Sequence, residues 1–427
     1  MMDRIFQQFL RVHKVTTDTR HIEKDSIFFA LKGERFNGNT FALQALEAGA
    51  SMAVVDEVIA GADERVVQVN DVLAALQELS KMYRSTFSIP FVAITGSNGK
   101  TTTKELMRDV LKKKYKVHAT KGNLNNHIGV PLTLLSMPAD TELAIIEMGA
   151  NHQKEISSYC QYAMPDFGLI TNIGKAHLEG FGGEEGVKKG KRELYDFIQA
   201  KEGLVFANTE YPVLDEVSKG MRRVEYGFHT GGQHLSAVEG GETLTFDLST
   251  ENNSAIRVHT QLAGSYNLYN MASAIAVGRY FGVPLQDIVD AIEAYTPDNN
   301  RSQLVKSAKN TIIMDAYNAN PNSMVEALKN LAKQNHTSKL AIIGDMRELG
   351  ETGPLEHQKI IDLAQELGLS CWLVGPIFFS LKEKSNFPAF LNTDDAKQYL
   401  QNHPIEKALV LLKGSRGIKL EGLSDLL

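Results

Sequence analysis

Four short stretches carry side chains whose types and spacing suit work on a phosphate. In "AITGSNGKTTTKE", residues 93–105, Gly96 and Gly99 let the backbone curl so that the N–H groups around Ser97 and Asn98 point inward at an anion. Lys100 adds a positive charge, Thr101 a hydroxyl suited to Mg²⁺, and Thr102 extends the polar run at a helix start. The spacing departs from G-x-x-x-x-G-K-[ST], because Ile94 stands five positions before Gly99. "IIEMGA" ends a strand-like run with Glu147, and "LITNIGKAHLEGFGG" places His177 just beyond another. A carboxylate and an imidazole at strand ends, facing Thr101, form a second candidate cation site. In "GVKKGKREL", helical spacing puts Lys188 and Lys191 on one face with Tyr195, while Lys189 and Arg192 point elsewhere and read as solvated. An ammonium has no lone pair for a metal. Lys191 therefore either meets phosphates as a cation or takes up CO₂ as a neutral amine, becoming a carbamate with oxygen donors; spacing leaves both open.

These stretches need elements to hold them. The chain has 427 residues, enough for two to four domains, with 43% hydrophobic and 22% charged residues, as in soluble globular proteins. A net charge of −6 argues against general nucleic-acid binding, so any grip on an anion is local. Cys160 and Cys371 form no disulfide framework or zinc spacing and read as packing. Asp3, Arg4 and Gln7 interrupt the first apolar run, and nothing approaches a membrane-spanning length, so a soluble, cytoplasmic protein without a membrane span is expected.

The fold expected is α/β in three domains. Residues 1–88 form a small α/β unit with strands at "SIFFAL", "SMAVV" and "RVVQV". In residues 89–297, the buried runs "IPFVAITG", "ELAIIEMG" and "DFGLITNIG", each followed by helix, predict a P-loop-like doubly wound parallel sheet. Alternation from Arg222 to Ala263 predicts an antiparallel patch there. The turn-rich "TPDNNR" is a hinge, and residues 298–427, with "NTIIMDAY", "KLAIIGDM", "CWLVG" and "ALVLLKG", read as a second, Rossmann-like α/β domain.

"TGSNGKTTTKE", "GNLNNHIGVPLTLL", "EMGANHQKEI", "TNIGKAHLEGFGGEEGVKKGKREL", "GSYNLYNMASAIAVG", "MDAYNANPNSM", "IIGDMRELGETG" and "LLKGSRG" occur in this order. The pattern resembles the Mur ligases of peptidoglycan synthesis. The resemblance extends to "TDTRHIEKDSIFFALKGERFNG" near the start, and the central motifs are shared with folylpolyglutamate synthetase. "YNANP" and "GDMRELG" are most similar to the members that join D-Ala-D-Ala to UDP-N-acetylmuramoyl-tripeptide. The resemblance implies ATP-dependent amide synthesis through an acyl phosphate, with two Mg²⁺ sites and a likeness of Lys191 to a carbamylated position. Lys100 and Thr101 would hold phosphates and the first Mg²⁺, and Glu147 and His177 the second. Asn267, Arg301 and Asp315 match nucleotide contacts. Asp18, Thr19, Arg20, Lys32, Gly33 and Asn37 match the uridine-nucleotide end, where "NGN" replaces the usual "DGH". Asn125 and Asn126 would lie along the muramoyl-peptide track, with Asn318 and Asn320 as further substrate contacts. Asp345, Lys413, Ser415 and Arg416, at strand ends, are candidates for the dipeptide, and His357 reads as structural. A monomer is expected. The rival classes are another amide ligase of this kind and a P-loop regulatory ATPase.

Overall fold

The computed structural model describes residues 1–34, 36–238, 241–249 and 255–427. At the N-terminal end, strands Val15–Thr16, Ile27–Phe29, Met52–Val55 and Val66–Gln68 lie side by side in that order, all parallel. Helices cover both faces, so Met52–Val55 is buried along its whole length and reads as a continuous apolar run.

Helix Val72–Arg84 begins where the Asp71 side chain accepts the Ala74 N–H. It buries Leu76, Leu79 and Tyr83 in a core that continues into the next unit through Val130, Leu134 and Tyr159. The Tyr83 hydroxyl donates to Met137 O (2.8 Å), and the Arg84 guanidinium donates to Ala163 O (3.0 Å) and Met164 O (2.9 Å) while covering the Phe91 ring. The first two sections of sequence therefore share one packed core across residue 88.

The central sheet has six parallel strands in the order Arg223–Tyr226, Leu204–Asn208, Phe167–Ile170, Phe91–Thr95, Leu143–Glu147, Val117–Ala119. Arg223–Tyr226 corrects the expected antiparallel patch. It is the parallel edge of this sheet, and among the described residues His234–Val238, Thr245–Ser249 and Ala255–His259 form the antiparallel layer. An edge strand is half wet, so its sequence alternates as a strand of a solvated antiparallel sheet does. After Glu147 the chain crosses past Phe91–Thr95 to Phe167–Ile170. The order of connection therefore reverses around the central strand, which opens a crevice at the strands' carboxyl ends.

The C-terminal sheet runs Gln303–Lys306, Thr311–Asp315, Leu409–Lys413, Lys339–Gly344, Ser370–Val374, Ala389–Phe390, parallel except for the first strand. Two apolar layers, one on each face, bury it.

Candidate active site

The glycines of the loop after Phe91–Thr95 are set by contact as well as by conformation. Gly96 has φ +144° and Gly99 φ +79°. A Cβ at Gly96 would lie 2.0 Å from Thr171 Oγ1, and one at Gly99 2.5 Å from Asn270 Oδ1. The loop is fastened to the segment after Phe167–Ile170: Thr171 Oγ1 donates to Asn98 O (2.6 Å), Asn98 N–H to Asn172 Oδ1 (2.9 Å), and Ser97 N–H to Asn172 O (3.0 Å). Its shape is thus built in, and helix Lys100–Leu111 starts from it with its N–H groups directed at the crevice.

Lys100 folds back to donate to Gly96 O (2.6 Å). Desolvation lowers its pKa to about 8, with the Glu147 charge opposing the shift and Arg301 adding to it. Glu147, 1% exposed, accepts from Thr101 Oγ1 (3.1 Å) and Asn125 Nδ2 (2.7 Å) at one oxygen, while its other oxygen, Oε2, has no hydrogen-bond partner and faces the buried Lys104 ammonium at 3.8 Å. A hydroxyl and a carboxylate side by side are hard donors of the kind Mg²⁺ prefers, and the unpartnered Oε2 leaves acceptor capacity for it. The residues present therefore fit a Mg²⁺ ion at Thr101 and Glu147.

His177, in a left-handed conformation at the start of helix Leu178–Phe181, meets the Glu348 carboxylate of the C-terminal unit. That contact holds the Glu348 carboxyl below the ordinary carboxylate range. Lys191 is 1% exposed on helix Glu184–Ala200, with Ala150 O at 3.5 Å and the Phe181 ring centre at 5.0 Å from Nζ. Burial first, and the Lys100 charge second, push its pKa well below the ordinary 10.5, against the pull of Glu155 and Glu193. Its amine is thus held toward the neutral form that reacts with CO₂.

Ser97, Asn98, Gly99, Lys100, Thr101, Thr102, Asn125, Asn126, Glu147 and His177 line one crevice of about 770 Å³ with Asn267, Arg301, Asp315, Asn318, Asn320 and Lys413. Gly96 shapes the loop from behind, and Lys191 sits behind Ala150 outside the lining. Several of these residues also have structural partners. Asn126 Oδ1 accepts the N–H groups of Ile128 and Gly129 ahead of helix Gly129–Leu135. Asn320 caps helix Pro321–Lys333 and donates to Asn98 Oδ1 (2.6 Å) across the crevice. Asn267 links Ala263 O to Asn270. Lys413 Nζ bonds Asp315 Oδ2 (2.7 Å), and Arg301 stacks on Tyr317 at 3.6 Å with its Nε unpartnered.

The remaining sequence candidates lie outside this crevice. Asp18 accepts the Arg20 guanidinium and backbone N–H, with Thr19 between them, and Lys32 pairs with Asp56 and Glu57 (2.9 Å each). Gly33 is on the exposed hairpin beside Asn37, whose amide donates to Glu57. Asp345 accepts the N–H groups of Ile377 and Phe378 and adjoins the buried His357; Ser415 accepts the Arg347 N–H, and Arg416 reaches over Tyr317 at 5.4 Å. Sequence reasoning passed over Glu348, Asn270 and Tyr317, though all three stand inside motifs it quoted. Their signal is positional: each is one or a few residues from a strand end or helix start.

Residues 94–278 match the family described as Mur ligase middle domain, residues 300–416 the Mur ligase, glutamate ligase domain, and residues 11–84 the Mur ligase family, catalytic domain. The chain belongs to the Mur ligase family. It is 34% identical over 422 residues to the UDP-N-acetylmuramoyl-tripeptide–D-alanyl-D-alanine ligase of Bacillus subtilis, covering 96% of this chain and 92% of that protein. The enzyme of the same name from Synechocystis is 35% identical, covering 84% of this chain and 78% of that one. Among solved structures, MurF from Acinetobacter baumannii superposes with a TM-score of 0.88 at 33% identity, covering 97% of this chain and 93% of that one.

Proposed function

We propose that this protein is an ATP-dependent ligase that joins D-Ala-D-Ala to UDP-N-acetylmuramoyl-tripeptide, releasing ADP and phosphate and giving a pentapeptide precursor of peptidoglycan. The observation that carries the chemistry is the crevice itself, a preformed phosphate loop and the Thr101–Glu147 pair at one switch point, with the Lys191 amine buried behind it and pushed toward its neutral form. Residues 1–88 take the uridine-nucleotide end, residues 89–297 ATP, and residues 298–427 the dipeptide. The protein works as a monomer in the cytoplasm.

The tripeptide's terminal carboxylate oxygen attacks the γ-phosphorus of ATP, the bond to the β-phosphate oxygen breaks, and ADP leaves. The dipeptide amine then adds to the acyl carbon, loses a proton, and phosphate departs from the tetrahedral intermediate. Bringing two anions together at ~4 Å costs about 4 kcal/mol at an effective dielectric near 20. Lys100, turned from Gly96 O onto the phosphates, and the N–H groups at the helix start oppose that repulsion. Thr101 and Glu147 would hold Mg²⁺, and Glu147 and His177 a second ion, and the bound metal would supply further charge neutralisation. The Lys191 amine forms a bond to the carbon of CO₂ and gives up a proton; the carbamate then presents oxygens where an ammonium could not. Contacts of Asn320 with Asn98 and of Glu348 with His177 bring the C-terminal unit over the crevice, which keeps water from the acyl phosphate.

The test is ADP release with a panel of UDP-muramoyl peptides and amines. D-Ala-D-Ala is expected to stimulate release only in the presence of a UDP-muramoyl-tripeptide. Stimulation by diaminopimelate, lysine or glutamate instead would assign another amide ligase, and turnover without any carboxylate would assign a regulatory ATPase.

A further inference from the structure

Helix Lys100–Leu111 has a second charged side. Lys104, Arg108 and the following Lys112 recur every four residues, so they form one stripe. With His118 and Lys121, from the edge strand Val117–Ala119 and the loop after it, they line a separate cavity of about 240 Å³. His118 bonds Thr133 O (2.8 Å) and burial lowers its pKa, so the charge comes from the lysines and Arg108, a local excess of cations in a chain of net charge −6. Two carboxylates temper it. Glu105 is in the lining but is engaged by Tyr295 Oη (2.7 Å) and Asn299 Nδ2 (3.1 Å), and Asp109 pairs with Arg108 (2.7 Å). Lys112 and Lys121 are exposed and form no ion pair among the described residues. Lys104 is different: it is 1% exposed, donates to Thr120 O (2.7 Å), and lies 3.6 Å from Glu105 and 3.8 Å from Glu147.

We infer that this cavity binds a small oxyanion of the phosphate class. Its volume is below the ~300–1,000 Å³ of cavities that take drug-sized ligands, which suits phosphate or pyrophosphate. A buried ammonium at the floor and exposed lysines at the rim give charge-assisted hydrogen bonds from several directions. The cavity is distinct from the phosphate loop, since Lys104 and Thr120 stand between it and Glu147. An ion held there shares the Lys104 ammonium with the carboxylate of the crevice, which ties the two places together.

The experiment is equilibrium binding of inorganic phosphate, and separately of pyrophosphate, to the full chain at fixed ionic strength. It is run with and without saturating Mg²⁺ and a non-hydrolysable ATP analogue. The comparison is with Lys112→Gln/Lys121→Gln, two exposed positions outside the crevice. The wild type is expected to retain one bound phosphate per chain when the analogue is present. The double variant is expected to weaken that site at least ~10-fold while binding the analogue as before. The proposal is overturned if no phosphate binds once the analogue is present, or if the double variant binds phosphate as tightly as the wild type. Loss of analogue binding by the wild type would count against the proposed ligase instead; the comparison of variants without analogue would still decide the phosphate site.

Discussion

Behind Ala150, burial pushes the Lys191 amine toward the form that reacts with CO₂, and the same burial leaves a mark on stability. Between its depressed folded value and the ordinary 10.5, the folded chain holds fewer protons at this group than the unfolded chain. Stability therefore rises with pH through that window, and the group is a liability below it. In CO₂-free buffer, the melting temperature of Lys191→Met relative to wild type is expected to be highest near neutral pH and to fall back toward pH 10. A difference that does not change with pH would show that the amine stays charged in the folded state. For activity, Lys191→Ala is expected to lose at least ~100-fold in kcat, the scale for one electrostatic group of this kind, with partial return on adding short carboxylates. Full activity in that variant would remove the carbamate. Glu147→Gln keeps the shape and the contact with Thr101 but removes the charge facing Lys104. A loss of about 10²–10³-fold in kcat, together with weaker Mg²⁺ binding measured by titration, is expected.

At the scale of elements, the phosphate loop depends on its neighbour after Phe167–Ile170. Gly96→Ala would drive a methyl into Thr171 Oγ1 and place alanine at φ +144°, a conformation costing ~1–3 kcal/mol for a residue with a side chain. The expected result is a lower melting temperature and at least ~10-fold weaker binding of an ATP analogue; unchanged binding would mean that the loop reshapes freely. The glycines were plain in the sequence as a permissive turn. That Thr171 and Asn270 forbid side chains there was not, because Thr171 is 75 residues away in sequence from Gly96 and Asn270 is 171 from Gly99. The same distance hid the place of Arg223–Tyr226, whose alternation records half-burial and not the direction of its partner.

For the whole molecule, the central and C-terminal units meet around the crevice through polar contacts, Asn98 with Asn320, His177 with Glu348, and Lys175 with Asn322 and Glu356, while Leu178 and Ala263 pack on the C-terminal core and Lys306 pairs with Glu242. Each exposed ion pair contributes only ~0–1 kcal/mol, so one loss leaves the arrangement largely in place. Asn320→Ala also removes the cap of helix Pro321–Lys333, at ~0.5–2 kcal/mol. The double variant Glu348→Ala/Asn320→Ala is expected to increase the radius of gyration in small-angle scattering, with either single variant close to wild type. No change in the double variant would show that other contacts hold the two units together.

The residues by themselves determined the elements and the chemistry on offer. Strand-length apolar runs, glycines before a lysine and threonines, and polar residues at strand ends follow from local periodicity and side-chain type, which each short segment carries intact. Only the tertiary structure decided which of these groups meet. It joined Thr101 to Glu147, turned His177 to Glu348, buried Lys191 away from water and left Asp18, Lys32 and Asp345 at other places. Desolvation and close contact arise from segments far apart in sequence, so neither the pKa of a lysine nor the partner of a carboxylate is written in the stretch that contains it.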